Sequence, residues 1–292
     1  MSEAIAGILH VVATPIGNLG DLSARAADIL LRVDVVLAED TRHTGRLLSH
    51  LTTANPDATR PAMMSLHDHN EAERVASVVA RLEAGESMAL VSDAGTPAVS
   101  DPGHRLVRGC IEAGVPVIPV PGPSAVLAAL VGSGLVSERF TFEGFLPRKG
   151  KGRRERLQEL ATERRTMVLF VSPHRVEADL RDLALALGGE RQAALARELT
   201  KLHEEFLRGS LDDLTAAAAD GLRGEMALVI AGAVLVEREE LGPQELARHV
   251  AALVASGTRS KDAIAEVAIA TGTPKKVVYQ AFLDFGAANA PT

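Results

Sequence analysis

Hydrophobic and polar positions along the first 122 residues alternate between short β-rich runs and helical spacings. Apolar runs at Ile8–Thr14, Asp34–Ala38, Ala62–Ser65, Met88–Ser92 and Val115–Val120 predict strands. Between them, Ser23–Arg32 and Glu71–Ala84 carry apolar residues at three- and four-residue spacing and predict helices, the second stopping at Gly85. Asp101-Pro102 combines an N-cap acceptor with a proline in the first turn, so a helix is expected to start there and end at Gly114. Strands without polar alternation, each followed by a helix, predict a parallel sheet covered on both faces. From Ser124–Val131, another helical run, the pattern changes. Strands are expected at Phe140–Phe145, Met167–Val171, Ala193–Arg197, His203–Arg208 and Met226–Ala231, with a turn at Gly209-Ser210 and a helix at Leu211–Ala219. Short connections there predict a mixed sheet with antiparallel pairs. From about Glu239 the pattern is helical throughout. Gly242-Pro243, Ser260 and Pro274 mark three helix starts, and Thr271-Gly272-Thr273 separates the last two, the spacing of a helix-turn-helix. The fold class expected is α/β: two α/β domains, 1–122 and 123–237, and a small helical domain, 238–292.

Composition narrows the class. The chain has 292 residues, 47% of them hydrophobic, a formal charge of −7 and a single cysteine, Cys110. This is enough for full-sized cores and excludes both wholesale disorder and an internal disulfide, so a reducing, cytoplasmic setting is expected. The opening MSEAIAGILHVV lacks the basic region and cleavage site of an export signal. The 22 uncharged residues Val115–Val136 contain Pro116, Pro119, Pro121 and Pro123, which break a membrane-spanning helix; a buried strand, a Pro-Gly turn and a buried helix are expected instead. Between Leu146 and Arg165, eight arginines and lysines stand against three glutamates, either a solvated helix face or a phosphate-contacting patch.

Four loops follow predicted parallel strands: Thr14–Asn18, Glu39–Arg42, Asp93–Pro97 and Pro121–Ser124. In an open parallel sheet, ligands bind beyond the carboxyl ends of the strands, so these loops should share one rim. The usual nucleotide fingerprints are absent, since neither GxxxxGK[ST] nor GxGxxG occurs. His67-Asp68-His69 has no partner cluster at zinc spacing, and no metal is expected. What remains is a ligand held largely by backbone groups at Gly and Pro loops with an acid such as Asp93 nearby.

Val12–Leu30 (VATPIGNLGDLSARAADIL), Ala38–Leu48 (AEDTRHTGRLL), Leu90–Gly103 (LVSDAGTPAVSDPG) and Pro121–Ala125 (PGPSA), followed by Phe142–Gly150, Ser172–Arg175, Arg197–Leu211 and Gly224–Gly232, resemble the 16S ribosomal RNA cytidine 2′-O-methyltransferases of the tetrapyrrole methylase superfamily. The likeness spans essentially the whole chain, including the helix-turn-helix tail. It implies two α/β domains with S-adenosylmethionine in the cleft between them, a homodimer, and the small ribosomal subunit and its 16S RNA as partner. By motif, Pro15 and Gly17 would lie at the methionine end, and Asp93, Thr96, Pro97 and Ala98 would line the cofactor opposite Ser124 and Ala125. Phe170, Ala196, Gly224 and Glu225 would close over the adenosine. One departure is visible: the family commonly has Glu before SPHR, where this chain has Val171.

Methyl transfer to a ribose hydroxyl is an in-line displacement whose leaving group departs neutral, so it needs neither an acid nor a metal, but a general base helps. Glu39 and Asp40 are the expected catalytic carboxylates, with Arg42 on a phosphate; a structural ion-pair network of the three is the alternative. RNA contact is expected from Arg42, Lys149, Lys151, Arg153, Arg154 and Lys201. With one Tyr, seven Phe and no Trp, aromatic platforms for bases are scarce, so recognition by shape and phosphates is expected. Two other functions stay open: a tetrapyrrole carbon methyltransferase, and a non-catalytic RNA-binding assembly factor.

Overall fold

The computed structural model describes residues 7–219, 221–234 and 241–288, which fall into two compact units divided between Ala233 and Val234. The expected section boundary at 237/238, with Glu239, Glu240 and the first half of the MSEAIAGILHVV start, lies outside the described residues. Among the described residues no helix is long and apolar enough to cross a membrane.

The first sheet contains β1 (Leu9–Val12), β2 (Val35–Ala38), β3 (Ala62–Ser65), β4 (Met88–Val91) and β5 (Val117–Val120) in the order β3-β2-β4-β1-β5, all parallel. Successive strand residues point to opposite faces. Val12, Val36, Ala38 and Val91 pack under α1 (Ala24–Arg32) and α2 (Thr41–Ala54). Leu9, Val35, Leu37 and Leu90 pack under α3 (Glu71–Glu83) and α4 (His104–Glu112), where Cys110 is buried. The chain therefore leaves β1 over one face and its neighbour β4 over the other, which makes the β1/β4 carboxyl edge a topological switch point.

Two expectations for this half are corrected. The fourth helix does not start at Asp101-Pro102 but at His104, after Gly103 at φ 124. Its exposed N–H groups are satisfied by a distant side chain. Glu71 Oε1, 5% exposed, accepts from the backbone of Gly103, Arg105 and Leu106 at 3.1, 2.8 and 3.1 Å. The Val115–Val120 strand is an edge, not a fully buried one, with Ile118 and Pro119 exposed. Proline donates no ladder hydrogen bond and suits an edge position.

The second sheet has β6 (Phe140–Phe145), β7 (Thr166–Val171), β8 (Gln192–Arg197), β9 (Glu205–Ser210) and β10 (Met226–Ile230) in the order β6-β7-β10-β8-β9. It is mixed, as expected: β6 and β7 are parallel, and the other pairs antiparallel. Its Met167, Leu169, Leu195 and Leu228 face α6 (Lys151–Ala161), α7 (Val176–Leu187) and α8 (Leu211–Ala218). Val168, Ala196, Ala227 and Val229 face α5 (Ala125–Ser133). Gly132 of α5 must lack a side chain, because a Cβ would lie 2.2 Å from the Phe206 ring. The helix is not fully buried as expected: Leu127 and Val131 are exposed on its outer side. The turn foreseen at Gly209-Ser210 is the end of β9, and Ser210 caps α8 in a reciprocal box with Asp213.

In the second unit α9 (Pro243–Ala255), α10 (Ser260–Thr271) and α11 (Lys275–Ala288) enclose Leu246, Val250, Ile264, Val267 and Val278. Ser260 is the first residue of α10 rather than its cap, which is Arg259 without a side-chain bond. Val277 is half exposed while Val278 is buried.

Candidate active site

The rim foreseen from the sequence exists, held by main-chain bonds and by the side chains of Asp93 and Thr96. At the switch point Thr14 and Gly95 exchange N–H···O bonds of 2.9 and 3.1 Å, joining the loops after β1 and β4. The β2 loop joins them through Asp40 N–H, which donates to Asp93 Oδ1 at 3.0 Å. Thr96 Oγ1 donates to Pro123 O at 3.4 Å and attaches the β5 loop. The β4 loop is strained: Ala98 and Ser100 adopt φ 66 and 62, a region that costs residues with a side chain about 1–3 kcal/mol each. Such strain is characteristic of segments whose backbone conformation is fixed for binding.

The second sheet meets this rim at the carboxyl ends of β6, β7 and β8 and the amino end of β10. Between the two lies a cavity of about 370 Å³, within the range of small-molecule sites. The first half contributes Ile16, Thr96, Val99, Asp101 and the α5 start at Ser124-Ala125. The second contributes Phe145, Phe170, Val171, Ser172, Leu199 and Glu225. A smaller recess of about 150 Å³ on the first half is lined by Pro15, His43, Thr44, Arg46 and Asp93, among others.

The residues expected at the cofactor divide accordingly. Thr96, Ser124, Ala125, Phe170 and Glu225 line the cavity. Pro15 and Asp93 line the smaller recess instead, because Asp93 turns its carboxylate onto the β2 loop. Pro97 and Ala98 lie in the strained loop without lining either space. Ala196 is fully buried under α5, behind the cavity wall. Gly17 and Gly224 serve close approaches. A Cβ on Gly17 would meet the Lys201 stem at 2.5 Å, and one on Gly224, at φ 95, would meet Glu198 at 2.4 Å.

The three expected catalytic residues part company. Asp40 is the N-cap of α2. Its carboxylate accepts from Arg42 N–H at 2.7 Å and from Arg42 Nε and Nη2 at 3.1 and 2.7 Å, which holds it far below the usual carboxylate range. Asp40 and Arg42 thus form a structural pair, which is part of the three-residue network that was the alternative. Glu39 is different. Burial, then the carboxylates of Asp101 and Asp93, push it above the ordinary range, and a backbone N–H from Asp93 only partly offsets this. Asp101 is raised too, first by burial, despite its hydrogen bond with Ser92. A half-buried carboxylate whose proton affinity is raised is suited, in its ionised form, to accept a proton.

Among the expected RNA contacts, Lys149, Lys151 and Arg154 are exposed in the loop after β6 and on α6. Arg153 is a correction: it is 8% exposed, and Asp179 and Asp182 neutralise it from 2.9 and 2.7 Å. Lys201 is another. Burial would lower its ammonium, but bonds to Glu198 (2.8 Å) and Glu225 (3.0 Å) hold it above its ordinary value and occupy it. Sequence reasoning did not single out Val99, Asp101, Phe145, Ser172 or Leu199 for the cavity. The signal available was that Phe145, Ser172 and Leu199 follow or end expected strands that run toward the same edge.

A family model described as Tetrapyrrole (Corrin/Porphyrin) Methylases matches residues 9–215. The chain is 47% identical over 282 residues to a ribosomal RNA small subunit methyltransferase I of Synechocystis, covering 96% of this chain and 99% of that protein. It is 49% identical over 278 residues to the protein of the same name from Mycobacterium tuberculosis, covering 95% of each. A solved structure of uroporphyrin-III C-methyltransferase from Thermus thermophilus, complexed with S-adenosylhomocysteine, superposes with a TM-score of 0.52 at 20% identity, over 77% of this chain and 96% of that one. At that identity the superposition bears on the fold.

Proposed function

The chain belongs to the tetrapyrrole methylase family and, within it, to the ribosomal RNA small subunit methyltransferase I group, and from that premise we propose that it methylates the 2′-oxygen of a cytidine ribose in 16S RNA with S-adenosylmethionine as donor. The observation that carries this reading is the cavity between the stitched rim and the second sheet. Its lining of Ile16, Val99, Phe170 and Leu199 suits the adenosine, and Asp101 offers negative charge to a cationic donor. Thr96, Ser124 and Ala125 would hold that donor together with Phe170. When bound, S-adenosylmethionine supplies an electrophilic methyl group on a sulfonium.

The chain's residues supply the rest. The acceptor hydroxyl is a very weak acid, so removing its proton is the barrier that a side chain can lower. Glu39 is the base, because its carboxylate keeps more proton affinity than Asp40, whose charge is spent on the α2 cap and Arg42. Arg42, exposed although paired, and the free cations Lys149 and Arg154 with Lys151 hold phosphates. The active form is a cytoplasmic homodimer, a state that sedimentation velocity checks directly.

The deciding experiment incubates the protein with donor and small ribosomal subunits lacking the modification, then maps added methyl groups by nuclease digestion and mass spectrometry. One methyl on a cytidine ribose is expected. Methyl on a base, or methylation of a tetrapyrrole precursor with none in RNA, would overturn the proposal.

A further inference from the structure

Behind the cavity, the buried pair Arg153 and Asp179 forms a network between α6 and α7 with the part-exposed Arg175 and Asp182. Arg153 Nη2 lies 2.9 Å from Asp179 Oδ1, and its Nε donates to Asp182 at 2.7 Å; Arg175 Nη2 shares Asp179 at 2.9 Å. Asp179 is 4% exposed. Buried ion pairs return little net stability, because desolvation offsets the attraction, so their retention calls for another role. The remaining donors show what it is. Arg153 Nη1 donates to Pro147 O at 3.0 Å, and Arg175 Nη2 donates to Leu146 O and Pro147 O at 3.4 Å each. Both guanidiniums therefore grip the carbonyl of Pro147, and Arg175 holds that of Leu146 as well.

Those carbonyls separate two exposed features. On one side Phe145, 57% exposed, ends β6 at the cavity mouth. Its ring is tilted 55° from that of Phe170 at 5.5 Å, so the two do not close face to face. On the other side stand Arg148 and Lys149, exposed and, among the described residues, in no ion pair. A flat apolar surface followed within four residues by two cations matches the chemistry of one unstacked nucleotide, which presents a π-face and flanking phosphates.

Building on the RNA reading above, we propose that Phe145 is the platform on which the acceptor nucleobase stacks, that Arg148 and Lys149 hold the flanking phosphates of the same single-stranded segment, and that Arg153 and Arg175 are positioning residues for both. The scarcity of aromatic residues in the chain does not preclude stacking, because one placed ring is enough for one extruded base.

The test measures kcat and KM for small-subunit particles and, separately, donor Kd by titration calorimetry. Phe145→Ala is expected to raise the particle KM about ten- to hundredfold with a far smaller change in donor Kd, and Phe145→Trp to restore most of the loss. A weakened donor Kd with unchanged particle KM would make Phe145 a cover for the donor and overturn the platform, as would no change in either. Arg148→Ala with Lys149→Ala is expected to flatten the salt dependence of RNA binding by about one to two units of slope; an unaltered slope removes the phosphate assignment. For positioning, Arg153→Lys keeps the charge and loses the fork. Adding Phe145→Ala to it should cost less than in the wild type, whereas additive penalties would reduce Arg153 to a merely structural residue. Wild-type turnover on the particles is the control: its absence overturns the RNA function itself, while turnover that is insensitive to Phe145 overturns only the platform.

Discussion

The two walls of the cavity are held by different means. On the first sheet the loops are bonded mostly main chain to main chain, as where Thr14 and Gly95 exchange hydrogen bonds, and Asp93 is the main side chain involved. On the second sheet side-chain charges do the holding. Glu198 accepts from Glu225 N–H at 2.9 Å and from Lys201, and two arginines clamp Leu146 and Pro147. Both walls nevertheless use the same backbone device, a pair of left-handed residues two apart: Ala98 and Ser100 on one, Glu198 and Thr200 on the other. Main-chain bonding leaves the first wall's side chains available for chemistry, whereas the second wall's charges are consumed in holding it.

That difference can be broken most severely at Glu39, the half-buried carboxylate that follows β2 on the first half. Glu39→Gln should reduce kcat about 10²- to 10⁴-fold with donor affinity unchanged, and Asp40→Asn should leave most turnover while lowering thermal stability. Single-turnover kinetics with calorimetric donor titration check both; equal losses in the two variants would refute the division between base and cap. On the second wall, Asp179→Ala leaves Arg175 without a carboxylate and Arg153 with Asp182 alone, and should cost about 3 kcal/mol in urea unfolding. The left-handed pairs sharpen the contrast at smaller scale. Ala98→Gly relieves strain without removing a bond and should stabilise by about 0.5 kcal/mol, whereas Glu198→Gly also loses its bonds to Lys201 and Glu225 and should destabilise by about 1 kcal/mol.

The mildest test is pH. Glu39 and Asp101 take up protons above the ordinary carboxylate range when folded, so their ionisation opposes folding at neutral pH, and that cost is relieved as pH falls through their raised values. Asp40 has the opposite sign: its contribution is complete above its unfolded value and lost only in strong acid. Activity should therefore fall on acidification before stability does, and parallel rate and melting profiles would show the two limbs separated.

How much of this was legible follows from the same contrast. The parallel sheet and its four loops could be read because apolar runs ending in Gly, Pro and Asp encode backbone geometry locally. Ala62–Ser65 and Phe140–Phe145 coincide with the expected strands. α2 was not read: Thr, Gly, Ser and His across Thr41–Ala54 are poor helix formers, and burial of Leu47, Leu48 and Leu51 under the Asp40 cap decides the matter. The α4 start was misplaced because its cap, Glu71, is 32 residues away in sequence. Phe145, Leu199 and the Arg153 network escaped because which strand and helix ends converge depends on pairing across the second sheet that no local pattern specifies.

Cys110 has a practical consequence. Burial pushes its thiol up to about 11, so at neutral pH the sulfur is both protonated and shielded beneath α3 and α4. A thiol-labelling reagent can then react only when those helices lift from the sheet. The natural chain thus carries a single built-in reporter on the breathing of that layer, on the face of the sheet opposite α1 and α2, and the rate of labelling with and without bound donor reads how far closure of the cavity stiffens the domain behind it.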